Sequence, residues 1–175
     1  CAGRGERATL TQAEYGGTAA ALSDQYVLAG FYVNELLLKL MERADPHPDL
    51  FVHYGGLIAN MSERRSLEPA LRTFELQLLR EIGYELDFAA EAGSGEAIDP
   101  VARYEFSPES GPRLTSPGDV SVSSYLGRDL LAIGQLDFSE PSALHAAKQI
   151  LRDVLNYYLG DRILQTRRIA AAMKR

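Results

Sequence analysis

Cysteine is almost absent from this chain of 175 residues: Cys1 is the only one. That excludes an internal disulfide framework and a thiolate-based structural zinc site, and it fits a reducing cytoplasm. The opening "CAG" also admits an alternative, a helical surface lipoprotein or scaffold acylated at Cys1 with no nucleic-acid role. Against that alternative, the Ser/Gly-rich tether usual for such anchors is missing, and Arg4, Glu6 and Arg7 follow at once. Long apolar runs are lacking too. The greasiest stretch, "LAGFYVNELLLKLME", is broken by Asn34, Glu35 and Lys39, short of the roughly 20 residues that span a bilayer. A soluble protein with no membrane partner is expected.

Catalytic signatures are equally sparse. His47, His53 and His145 are scattered, and His47 and His53 are six apart, not the i, i+4 pair that puts two ligands on one helix face. Each is expected at a helix cap or on the surface. Ser123-Ser124 lacks the glycine-flanked setting of a nucleophile elbow, and "AGSGE" is too short to cradle a phosphate ahead of a helix. Glu81 and Glu85 fit a hydrated helix face, since nothing beside them predicts the desolvation that separates an acid from a base. No enzyme, no cofactor and no metal site are expected.

What is present is the material of one globular domain: 46% hydrophobic and 24% charged residues exclude general disorder. The net charge of -6 is unevenly spread. From His145 onward seven basic residues face two acidic ones, a balance of +5, so the remainder carries -11. Clustered cations at one end point to an anionic partner there, although a solvated helix face has the same composition.

Periodicity predicts a mainly helical protein. "ERATLTQ" (Glu6 to Gln12) alternates like a half-buried strand, and one strand cannot stand alone. A long helix runs from a cap at Ser23 or Asp24 to about Arg43, with Val27, Leu28, Phe31, Leu38 and Met41 as its stripe. Pro48 starts a second helix lined by Leu50, Phe51, Tyr54, Leu57, Ile58 and Met61. Its Gly55-Gly56 pair predicts close packing against a neighbour. Pro69 opens a third helix with Leu71, Phe74, Leu78, Leu79 and Ile82 inward, closed by Gly83. The Gly/Ser/Pro-rich stretch from Glu91 to Gly118 predicts a loop with a short strand at "ARYEFS" and a turn at "SPESGP", the least rigid part of the domain. Helical pattern returns weakly at "GRDLLAIGQL", strongly from Pro141 to Leu159, where Gly160 ends it, and again from Ile163 to Lys174. There is no internal repeat.

Five segments in order, "GRGE…L…AE", "LAGFYVNELLLKL", "EPALRTFELQLLREIGYELDF", "AGSGE" and "AAKQILRDVLNYYLGDRILQTRRI", make the chain resemble the bacterial recombination mediator family RecO from Gly3 to Arg175. The resemblance implies a helical bundle at 18–175 with a loop/hairpin insertion at 89–122, preceded at 1–17 by the last strand of an N-terminal OB-fold barrel. It further implies a cytoplasmic, nucleoid-associated protein that breaks no bond. Such proteins bind single- and double-stranded DNA, anneal strands, and with RecR load RecA onto DNA coated by single-strand-binding protein. Many relatives hold zinc with two Cys-x-x-Cys pairs in the insertion, and this chain has no cysteine there.

In the family the helical domain docks the acidic, phenylalanine-ending tail of the coat protein, and the matching position here is Arg72 in "PALRTFE". A guanidinium beside an apolar pocket offers such a terminus a home for its ring and a two-point grip on its carboxylate. Leu71, Leu76 and Leu79 are the expected pocket walls, since 72, 76 and 79 share a helix side. A surface arginine snorkelling over a leucine pair explains the same periodicity. For DNA the resemblance points to Arg162, Arg167, Arg168, Lys174 and Arg175, in place of the family's basic "LGG+xL+SR" ending. Here Asp161 replaces a glycine, Gln165 stands where lysine is common, Thr166 stands for serine, and Arg168 adds a charge. Phosphate contacts tolerate such exchanges, and binding without sequence preference is expected.

Overall fold

The computed structural model describes residues 22, 25–43, 45–116 and 124–173. The expected strand at Glu6 to Gln12, the cap at Ser23 or Asp24, Cys1, Lys174 and Arg175 lie outside the described residues. Proline and glycine set most of the boundaries. Helix α1 spans Gln25–Leu40, α2 Pro48–Ser62 and α3 Leu67–Glu81. Three short strands follow, β1 (Arg103–Ser107), β2 (Gly111–Leu114) and β3 (Ser124–Leu126), then α4 (Gly127–Gly134), α5 (Pro141–Leu159) and α6 (Gln165–Met173). The protein is mainly helical, as its periodicity predicts.

Helix α5 is the organising element. Its inward stripe runs without a break from Ala143 through Ala146, Ala147, Ile150, Leu151, Val154 and Leu155 to Leu159, the 3.6-residue recurrence of a core-facing helix. It packs on α4, α3 and α1, while α2 packs on α3 and α6 on α1. Pro141 lies in its first turn, and Gly160 ends it at φ 57, a backbone conformation that disfavours a side chain. Helix α3 buries Leu71, Phe74, Leu78 and Leu79, but it also buries Glu75 in the middle of that face. It starts at Leu67 with Ser66 at the cap, so Pro69 sits within the first turn and does not open the helix.

Two expected faces are corrected. In α1 the buried residues are Ala29, Gly30, Val33 and Leu36, whereas Phe31 is exposed and Leu38 is 84% exposed. The helix is apolar almost all round, so three-to-four spacing fits more than one stripe and cannot choose between them. It also stops at Leu40, short of Arg43. Phe51 of α2 faces outward, and an atom added at Gly55 or Gly56 would meet nothing within 4 Å among the described residues. The pair therefore marks no close packing among the described residues.

The segment expected to be loose is a built structure wherever it is described. Its strands form an antiparallel sheet of order β2-β1-β3, with Tyr104 opposite both Leu114 and Tyr125. Tyr104 and Tyr125 are buried, the Tyr104 hydroxyl accepts the Asp99 N–H at 2.9 Å, and Phe106 stacks on Phe88 with ring centres 5.3 Å apart. The Glu91 carboxylate accepts the Ser94 hydroxyl at 2.7 Å and the Leu114 N–H at 3.0 Å. Those two bonds hold its carboxyl below the ordinary value. Backbone groups that a free loop would leave to water are satisfied internally.

At the start of α4 the chain passes so close to the turn before β1 that a side chain on Gly127 would lie 1.9 Å from the Asp99 carbonyl oxygen. Gly127→Ala is therefore expected to lower stability by about 1–3 kcal/mol. Gly55→Ala, in open space within a helix, should raise it by roughly 0.4–1 kcal/mol. Urea denaturation of the two variants checks the contrast, and equal effects would contradict this packing.

Candidate functional site

The inward position of Glu75 creates the site. A carboxylate 1% exposed needs partners, and two elements, α3 and α1, supply them. Arg72, one turn earlier on α3, donates from Nη2 to Glu75 Oε1 at 2.7 Å; the Tyr32 hydroxyl of α1 donates to the same oxygen at 2.6 Å. Arg167 of α6 donates from Nη2 to the Tyr32 oxygen at 3.1 Å and from Nη1 to Asn156 Oδ1 of α5 at 2.8 Å. Its guanidinium carbon lies 5.5 Å from the centre of the Tyr32 ring, a cation–π distance. Glu75 Oε2 and Arg72 Nε are buried without partners among the described residues.

Burial pushes the Glu75 carboxyl above its ordinary value, and the charge of Arg72, the Tyr32 hydroxyl and the more distant cations only partly offset it. The Tyr32 phenol is pushed up as well, first by burial and then by the Glu75 charge.

Beside this chain of bonds opens a cavity of about 580 Å³ between α1, α3, α5 and α6, within the size range of ligand sites. Its apolar lining is Leu28, Ala29, Leu71, Ala170, Ala171 and the Tyr32 ring; four cations, Arg72, Lys148, Arg152 and Arg167, converge on it against one lining acid, Glu68. Lys148 pairs with Glu68 at 2.5 Å. Arg152 makes no hydrogen bond or ion pair among the described residues. A second cavity of about 450 Å³ lies on the other side of α6, lined by Arg152, Asn156, Arg162, Ile163, Arg167 and Arg168 among others. A larger hollow, about 690 Å³, lies between the α2–α3 turn and the α4–α5 link. It is an open saddle in which Arg65 is already paired with Glu63 at 2.6 Å.

The structure sorts the sequence-predicted residues. Arg72 and Leu71 line the first cavity. Leu76 and Leu79 do not: Leu79 is fully buried in the core and Leu76 is half-buried against it. Helical side chains lean toward the N-terminus, so the surface beside Arg72 belongs to Glu68 and Leu71, while Leu79 lies about 10 Å further along the axis. The free two-point fork expected of Arg72 is also corrected, since its side chain is 11% exposed and one Nη is committed to Glu75. Arg162 is not free for phosphate either. Its Nε donates to the Leu159 carbonyl at 3.0 Å, its Nη2 to that of Tyr158 at 3.0 Å, and its Nη1 to that of Lys39. It thus caps the open carbonyls at the ends of α5 and α1. Arg167 is half-buried between the cavities and Arg168 is exposed, reaching only Gln165 at 3.2 Å.

Sequence reasoning missed Tyr32, Glu75, Lys148 and Arg152. The signals were there: Arg72 and Glu75 stand at i, i+3, and Lys148 and Arg152 at i, i+4, so each pair shares a helix face. Among the described residues the histidines bring no ligand cluster together. His47, at the α2 cap position, bonds Asp45 and Glu81, and His145 bonds Gln149.

Helix α6, which walls both cavities, is held by Glu35 of α1. That carboxylate accepts the N–H groups of Gln165 and Thr166, at 2.8 and 2.9 Å, and the Thr166 hydroxyl at 2.7 Å. Burial opposes its charge, but these bonds and Lys39 outweigh it and hold the carboxyl below its ordinary value of 4.5. A carboxyl depressed in the folded state stabilises above its unfolded value and loses that contribution as pH falls through the folded one. Glu35→Ala should therefore lower stability by ~0.5–2 kcal/mol at pH 7, the range for a lost helix cap. The gap to wild type should narrow on acidification below 4.5, and urea titrations at neutral and acid pH check it.

The family described as "Recombination protein O C terminal" matches residues 25–168. The chain is 42% identical over 170 residues to "DNA repair protein RecO" of Azoarcus sp. (strain BH72), covering 95% of this chain and 70% of that relative. It is 40% identical over 169 residues to the protein of the same name from Actinobacillus succinogenes, covering 97% and 70%. It is also 40% identical over 167 residues to that of Haemophilus influenzae (strain ATCC 51907), covering 95% and 70%. With the family matched from the start of α1 into the first turn of α6, and with relatives aligned over almost its full length, this chain belongs to the RecO family of DNA repair proteins.

Proposed function

We propose that this chain is the partner-docking part of a non-catalytic recombination mediator in DNA repair. In this reading the cavity between α1, α3, α5 and α6 receives the acidic, phenylalanine-ended tail of a single-strand-binding protein. Arginines of α5 and α6 hold single- and double-stranded DNA without reading its sequence. Together with RecR, the protein anneals strands and promotes RecA loading.

The observation that carries the reading is the convergence of Arg72, Lys148, Arg152 and Arg167 on an apolar hollow. An apolar ligand would leave Arg152 without an anion and Arg167 with only the neutral Tyr32 and Asn156 oxygens among the described residues, and a plain anion would leave the hollow unfilled. A terminal phenylalanine supplies both a ring for the leucine, alanine and tyrosine lining and a carboxylate for the guanidiniums, while neighbouring acidic residues meet the rim. No covalent step is required. Capture next to a coated strand raises the local concentration of the annealing surface, which is the whole of the catalytic-like gain. DNA contact through Arg167 and Arg168 is electrostatic and so independent of sequence.

A peptide of acidic residues ending in phenylalanine should bind, and isothermal titration calorimetry checks it. Arg72→Ala should weaken binding by about 1.5–3 kcal/mol if a charge-assisted bond is lost. Because that change also leaves Glu75 buried without its ion pair, Arg152→Ala serves as the test that leaves the fold alone, weakening the peptide by up to ~1 kcal/mol. Unchanged affinity in both variants contradicts the docking reading. Affinity for a single strand should fall steeply with added salt, and a flat response removes the DNA-binding part.

A further inference from the structure

The two cavities are parted by a wall made from α5 and α6, and Arg167 is the polar element of that wall. Its Nη2 reaches Tyr32, which lines the first cavity, and its Nη1 reaches Asn156, which lines the second. Arg152 and Ala171 line both as well. Unlike the first cavity, the second has no acidic residue in its lining among the described residues. Arg162 is occupied by three carbonyls, so its available cations are Arg152, Arg167 and Arg168. Two of those three belong to the neighbouring cavity.

We propose that the second cavity takes a phosphodiester of a nucleic-acid strand, and that a strand there and an acidic peptide terminus in the first cavity oppose each other because both draw on Arg152 and Arg167. The inference rests on the tail-docking reading above. A guanidinium that turns one amino edge to each cavity cannot give its full charge to two anions at once. Two anions within reach of one guanidinium also lie inside a Debye length, about 8 Å at physiological salt, so they repel with little screening. The opposition is reciprocal by linkage: whatever factor the peptide imposes on the strand, the strand imposes on the peptide. Engaging the strand would then loosen the tail that delivered the protein to it, a hand-over built into one side chain.

The test is fluorescence anisotropy of a labelled oligothymidylate titrated with the full chain, alone and with saturating unlabelled peptide that is acidic and ends in phenylalanine. The peptide is expected to raise the Kd for the strand at least about fivefold, and saturating strand to raise the Kd for labelled peptide by the same factor. A peptide of the same composition with its phenylalanine moved away from the end should leave strand affinity unchanged; an equal effect from it would reduce the result to bulk charge and overturn the proposal. Arg167→Gln and Arg152→Gln should weaken both ligands and shrink the coupling, with circular dichroism checking the fold. Arg168→Gln should weaken the strand alone, and strand affinity unaffected by that change would refute the second cavity as its seat. Both ligands bound together with unchanged Kd values would overturn the inference while leaving tail docking intact. Failure of the peptide to bind at all would remove both.

Discussion

One buried carboxylate in α3, Glu75, decides the geometry of this molecule's cationic face. It sits on the core side of α3 and is reached at one oxygen by both Arg72 and Tyr32. Taking a carboxylate out of water costs several kcal/mol, and an ion pair in the interior seldom returns more than it takes. The balance here falls on the unfavourable side, because the carboxyl is pushed up despite two close donors and the charges beyond them. A group whose folded pKa is raised binds its proton more tightly when folded, so it subtracts from stability as pH rises above the ordinary carboxylate value. Its compensation is directional. Glu75 fixes the guanidinium of Arg72 directly and that of Arg167 through the Tyr32 hydroxyl, so one acid on α3 orients cations on α3 and α6.

The wall that carries Arg167 depends on ties of a different kind. Helix α6 is short, and Thr166 is its only buried residue, so apolar packing contributes little to holding it in place. Polar caps do that work. Glu35 of α1 takes the first N–H groups of α6, while Arg162 closes the carbonyl ends of α5 and α1. Both use groups that a helix leaves unpaired at its ends, and both join α1 to the C-terminal helices. The residue expected to bind phosphate, Arg162, is thus part of the frame, and Arg167 and Arg152 are what the frame presents.

Where side-chain periodicity had one solution, it was readable. Pro141 to Leu159 and its closing Gly160 are marked by a stripe with polar residues elsewhere on the helix and by residues whose backbone preferences match their places. The α1 face was not readable, since an almost uniformly apolar helix carries no phase. Nor was the small sheet beyond β1: its strands are three to five residues long, and their pairing is fixed by non-local contacts such as Tyr104 with Tyr125. For the cavity, Arg72 alone follows directly from the resemblance; Leu71, Leu76 and Leu79 were expected as walls beside it, and the latter two were placed by angle, without the lean of helical side chains toward the N-terminus. Tyr32, Lys148 and Arg152 come from elements far apart in sequence, and only tertiary structure brings them to one opening.

A carboxylate at the back of a cavity suited to anions looks self-defeating, since Glu75 must repel any acidic ligand. Its arrangement limits that effect. The oxygen turned toward Arg72 and Tyr32 accepts a donor from each, and the cations it orients outnumber it at the opening. An empty cavity with four unpaired cations would repel itself apart, and Glu75 together with the Lys148–Glu68 pair lowers that strain before any ligand arrives. The same neutralisation raises the threshold for binding, because an incoming anion meets guanidiniums already partly satisfied. An isolated phosphate or a run of acidic side chains would gain little against them. A ligand that also buries an aromatic ring against Leu28, Leu71 and Tyr32 adds apolar transfer energy of about 25 cal/mol per Å² of surface removed from water. In the proposed reading, that addition is what lets a chain terminus succeed where charge alone fails, and the buried acid serves as the filter.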